Sequence, residues 1–181
     1  MEEAMKMMST IEDIYNLPED VRAELIDGEI YMMGSPNRRH QRAIAGVFNA
    51  VYNHIKKYGG LCEVNVAPFA VFLFNDDYTY VEPDITVVCD PDKLDDKGCH
   101  GAPDWIIEVI SPSSRSRDCL LKLRKYEQAG VREYWVIDPE REAVTVYRFE
   151  TEEVECYGFA DQVPSVVCDE LIVDFSEIEI K

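Results

Sequence analysis

The stretch Trp105–Asp138, WIIEVISPSSRSRDCLLKLRKYEQAGVREYWVID, decides the architecture. Trp105–Ile110 is apolar at every position except Glu108, the composition of a strand buried on both faces. SPSSRSRD offers several N-cap residues for a helix over about Arg117–Ala129. Leu120, Leu121, Leu123 and Tyr126 are expected to face a sheet from that helix. Gly130 stops it, and Glu133–Asp138, EYWVID, reads as a second buried strand. Strand, helix and strand at this spacing make a crossover unit, so the two strands are expected to run parallel.

Toward the N-terminus, Glu12–Asn16 reads as a short helix. Ala23–Met33, AELIDGEIYMM, sets Asp27-Gly28 between two strand-like runs, a strong hairpin signal. Ser35-Pro36-Asn37 supplies capping chemistry for a helix whose Ile44, Val47, Phe48, Val51, Ile55 and Tyr58 recur at three- and four-residue spacing. Gly59-Gly60 ends it. Cys62–Phe74 reads as a long strand bent at Pro68, Tyr80–Cys89 as another, and Asp90–Pro103 as an acidic loop. Beyond Asp138, Ala143–Phe149 and Glu153–Phe159 read as a hairpin and Leu171–Phe175 as an edge segment. The expected fold is a mixed-sheet α/β domain over residues 1–181, with a core of about 36–139 and no repeat or linker to divide it.

Composition limits the function. A 46% hydrophobic fraction argues against wholesale disorder. No apolar run approaches the roughly 20 residues that span a bilayer, and the acidic start does not read as a signal peptide, so no membrane association and a cytoplasmic location are expected. Cys62, Cys89, Cys99, Cys119, Cys156 and Cys168 form no CxxC pair, which argues against structural zinc. Reduced thiols are expected, with Cys62 and Cys89 packing as small hydrophobes. The net charge is −18, yet Arg38–Lys57 holds five basic and no acidic residues, and Trp105–Arg132 six basic against three acidic. So acidic a chain binds a polyanion only where positive charge gathers on one face.

Two carboxylates carry the chemistry. Asp84 opens a β run after Pro83, and Glu108 interrupts WIIEVI. Burying an unpaired carboxylate costs several kcal/mol, so Glu108 needs a metal, a cation or hydrogen-bond donors. On adjacent strands the two would form an oxygen-rich site for a hard divalent cation. In the other reading Asp84 is a turn residue and Glu108 pairs with a structural Lys or Arg. Residue chemistry leaves both open.

Helix, three strands, helix and strand, with PD on one strand and Glu on the next, resembles the PD-(D/E)XK nuclease superfamily. AELIDGEIYMMGSP, PNRRHQ, EPDITVV, PDWIIEVISPSS, DCLLKLRKY and AGVREYWVIDP, in that order, resemble more closely the Uma-type bacterial family assigned to the restriction endonucleases. The resemblance covers roughly Ala23–Pro139 and implies a restriction-endonuclease-like αβββαβ core with an N-terminal hairpin and C-terminal β additions. It matches Asp84 to the Asp of PD and Glu108 to the acidic residue of (D/E)XK. The pattern departs at Ile110, where Lys is expected; Lys122 on the following helix fits the displaced role better than Lys125. Glu24 matches the acidic residue of the hairpin.

The resemblance implies a metal-dependent endonuclease hydrolysing phosphodiesters of nucleic acid, DNA being the expected substrate. Mg²⁺ or Mn²⁺ would be held by Asp84, Glu108 and the Val109 carbonyl, with Lys122 at the attacking water or the phosphoryl charge and Glu24 supporting the cluster. Arg38, Arg39, His40, Arg42, Arg115 and Arg117 are candidates for backbone contacts. Cutting both strands would favour a homodimer. The alternative is a catalytically silent nucleic-acid-binding or protein-assembly module on a nuclease fold. A third reading, an acid–base enzyme on a small metabolite, finds neither a nucleotide loop nor a nucleophile triad here.

Overall fold

The computed structural model describes residues 8–110 and 117–180, with side chains of the second span described from residue 120. The chain starts with α1 (Ile11–Tyr15) and a hairpin, β1 (Ala23–Ile26) and β2 (Glu29–Met32). Asp27 and Gly28 both take positive φ, 52° and 73°, as the two-residue turn requires. Helix α2 (Arg38–Tyr58) begins at Asn37, whose side chain accepts from the His40 N–H, and ends at Gly59 with φ 75°.

Next come β3 (Glu63–Val66), β4 (Val71–Phe72), β5 (Ile85–Val88), β6 (Leu94–Asp95), β7 (Gly98–His100) and β8 (Trp105–Val109). The chain then runs through α3 (Arg117–Ala129), β9 (Glu133–Asp138), β10 (Ala143–Arg148), β11 (Glu153–Gly158), β12 (Gln162–Pro164) and β13 (Ile172–Asp174). Six strands form the central sheet in the order β11-β10-β9-β8-β5-β3. Its one parallel pair is β8 with β9, Glu108 lying opposite Val136, as the crossover reading requires. From α2 through β9 the elements of this sheet and its two helices give the αβββαβ order.

One face buries Ala43, Val47 and Val51 of α2 together with Phe175 near the C-terminus; the other buries Tyr126 of α3, Ile26 of the hairpin and Val71. Among the described residues no helix is long and apolar enough to cross a membrane.

The structure corrects several expectations. Cys62–Phe74 is not one strand: a cis Ala67–Pro68 bond ends β3, and β4 joins a small sheet with β7 and β6. The Asp90–Pro103 loop carries β6, β7 and a 3-10 turn at Pro91–Lys93, because Asp95 accepts from the Lys97 and Gly98 N–H groups and folds the segment back. The strand expected over Tyr80–Cys89 shortens to β5, with Tyr80 and Val81 making isolated bridges to Leu25 and Val71. The expected edge segment near Leu171 is β13, paired with β12. Leu120 is exposed, while Leu121, Leu123 and Tyr126 pack toward the sheet.

Cys62 and Cys89 form a disulfide, not a pair of reduced thiols. Glu63 pairs with Val88, so the next position outward sets the two cysteines opposite each other across antiparallel strands.

Candidate functional site

Asp84 and Glu108 come together through strand register. Ile85 pairs with Ile107 across the antiparallel β5–β8 contact, so one step outward Asp84 falls opposite Glu108. The Val109 N–H donates to Asp84 Oδ2 at 2.7 Å. Glu108 accepts from Lys122 Nζ at 2.9 Å and from the Tyr126 hydroxyl at 2.8 Å. Lys122 and Tyr126 stand four residues apart on α3 and so share one helix face.

Lys122 also bridges to Glu24, its Nζ lying 2.8 Å from Oε1 and 2.7 Å from Oε2. Glu24 in turn accepts from the Glu82 N–H at 3.0 Å. From the opposite side, His40 in the first turn of α2 reaches Asp84, Nε2 to Oδ2, at 3.3 Å. The side chains are recessed: Lys122 is 10% exposed, Glu108 12%, and Asp84 and His40 13% each.

Burial shapes the charges. Desolvation pushes the Glu108 carboxyl up to about 7; Asp84 and Glu24 add to the rise and Lys122 opposes it. Burial works against the Lys122 ammonium, but Glu108 and Glu24 outweigh it and hold its pKa above the ordinary value. Burial likewise lowers His40, and the hydrogen bond and charge of Asp84, with smaller help from Glu108 and Val109, reverse the sign. Two carboxylates therefore share Lys122, while the third is met by His40 and a backbone N–H.

Among the described residues no three His, Cys, Asp or Glu side chains gather closely enough to hold a metal ion by themselves. Asp84 and Glu108 suit a different arrangement. Mg²⁺ commonly takes one or two carboxylates and fills its remaining positions with water and substrate phosphate. Both carboxylates line a cavity of about 430 Å³ with Glu24, His40, Val109 and Lys122, so the donor set fits a hard divalent cation.

Other candidates are placed elsewhere. Lys125 binds Asp27 at 2.6 Å, in the hairpin turn. Arg39 donates to the Pro139 carbonyl at 2.5 Å, and Arg42 binds Glu179 and its carbonyl. These contacts pin α2 to the β9–β10 turn and to the C-terminal segment. Arg115 lies outside the described residues, as do Ser111, Ser113, Ser114 and the side chain of Arg117. Tyr126 escaped the sequence reading as a site residue; its only signal there is the four-residue step from Lys122.

Comparison with known proteins agrees with this arrangement of elements. The Uma2 family, described as "Putative restriction endonuclease", matches residues 11–176. An uncharacterized protein of Synechocystis sp. is 31% identical over 103 residues, 57% of this chain and 53% of that protein, so the match spans about half the relative's length. A solved structure from Anabaena variabilis, described as "a putative nuclease belonging to DUF820", has a similar fold. Its TM-score is 0.74 at 24% identity, covering 93% of this chain and 96% of that one.

Proposed function

The chain belongs to the Uma2 family, and from that premise we propose that it is a metal-dependent endonuclease that hydrolyses phosphodiester bonds in nucleic acid, DNA foremost. The observation that supports this reading most is the convergence of Asp84, Glu108 and Lys122, from two strands and a helix, in one recessed cavity. Asp84 and Glu108 would hold Mg²⁺ or Mn²⁺, with the Val109 carbonyl beside them. When bound, the ion supplies Lewis-acid polarisation of a phosphoryl oxygen and acidifies a coordinated water.

The chain's own residues do the rest. The Val109 N–H and His40 fix the Asp84 carboxylate, and Tyr126 fixes Glu108. Lys122 keeps its proton and sets positive charge beside the phosphoryl group as negative charge develops there. Glu24 is a positioning residue in this scheme, because it grips Lys122 with both oxygens. In the reaction the water oxygen bonds to phosphorus and one P–O ester bond breaks. The water proton passes to solvent, and the leaving oxygen gains one.

Wild-type protein is expected to cut nucleic acid only with Mg²⁺ or Mn²⁺ present. Glu108→Gln and Lys122→Ala are each expected to lose at least about 100-fold in rate, the scale of one preorganised charge, while circular dichroism reports a native fold. An unchanged rate in either variant would remove that residue from the scheme. A folded wild type that cuts nothing with either ion would pass the case to the assembly-module reading.

A further inference from the structure

We infer that the site takes nucleic acid as a single strand, one unpaired nucleotide entering the cavity with its phosphate toward Glu108 and Lys122. This rests on the nuclease reading and names its substrate more closely.

The depth of the reacting groups is the first ground. Lys122, Glu108, Asp84 and His40 keep only 10–13% of their side-chain surface exposed, so none stands out toward a neighbouring rod. A duplex is stiff over about 50 nm and carries its phosphates on convex ridges. Its backbone cannot dip into a recess between the β1–β2 hairpin and α2, whereas a flexible single strand can.

The walls give the second ground. The cavity measures about 430 Å³, within the roughly 300–1,000 Å³ of sites that enclose one small molecule. Beside the charged groups and a few polar ones, its lining includes apolar side chains at Ile26, Met33, Ile44, Val66 and Ile110. Such a surface suits the flat face of a base, and in a duplex that face is covered by its stacked neighbours.

Charge supplies the third. The chain carries −18, and on α2 Arg42 is already paired with the Glu179 carboxylate while Arg39 is turned to the Pro139 carbonyl. A duplex presents one charge per about 1.7 Å of axis and a single strand one per about 3.4 Å. An acidic body therefore repels the duplex more strongly.

The test is fluorescence anisotropy on the full chain at low salt, with Ca²⁺ supplied as the ion. The probes are a short labelled single strand and the same strand annealed to its complement. The single strand is expected to bind about tenfold more tightly, the reverse of the usual advantage of the denser polyanion. Met33→Trp, placed to fill the cavity from the end of the hairpin, is expected to erase that preference; Mn²⁺, binding only the folded chain, is expected to raise the melting temperature of wild type and variant alike. Equal or tighter duplex binding overturns the inference and leaves the nuclease reading standing. So does undiminished single-strand preference in a natively folded Met33→Trp. Binding of neither strand form, together with no Mn²⁺ effect on melting in wild type, overturns both.

Discussion

Glu24, Glu108 and Lys122 form a buried set in which one ammonium serves two carboxylates. Removing the shared ammonium strands both carboxylates: Lys122→Met is expected to cost about 3–5 kcal/mol by urea denaturation. Adding Glu24→Ala to it removes one of the stranded carboxylates and is expected to recover part of that loss in a double-mutant cycle. Glu108 carries a pH signature as well. Its folded pKa, about 7, lies above the ordinary 4.5, so its contribution is fully present below 4.5 and is lost as pH rises through 7. Ion-free wild type is expected to lose stability across that window, by at most about 1.4 kcal/mol per pH unit from this group. Glu108→Gln, unfolded in EDTA at several pH values, is expected to flatten the slope. Asp84, Glu108 and Lys122 were legible because acids placed in apolar strand runs demand partners. The partners of Arg39 and Arg42 were not legible, because residue type states a charge and not what it touches.

At the level of elements, the β8–α3–β9 crossover was readable from two apolar runs, a capped helix and a stop glycine. The hairpin was readable from Asp27-Gly28. The breakup of Cys62–Phe74 was not, since the sequence stays apolar from Phe69 to Phe74 while the backbone turns to a different sheet. Nor was the Cys62–Cys89 bond, because pairing depends on the register of β3 against β5, and spacing alone does not set register. That bond closes a loop over a sequence separation of 27 residues. Loop-closure entropy predicts that replacing both cysteines by serine, or adding a reductant, lowers stability by about 3–4 kcal/mol. Denaturant titrations with and without dithiothreitol measure it; coincident curves would mean that the strands hold without the bond.

Across the whole molecule, the mixed sheet and its two helical faces followed from the pattern of apolar runs. The allocation of charge did not. The basic residues of α2 were readable by type but not by partner: Arg42 pairs with Glu179, and Arg39 donates to the Pro139 carbonyl. The site is likewise a property of the whole. Its groups come from residues 24, 40, 84, 108 and 122, and the strand that locks α3 against the sheet, β9, ends only at Asp138. During synthesis the ribosome releases these pieces in order, and earlier segments fold before later ones exist. A nascent chain paused before β9 therefore holds the carboxylates and the lysine but lacks the strand on which α3 packs. A cell making this protein would thus meet its chemistry only once synthesis has passed β9, never from shorter fragments still on the ribosome.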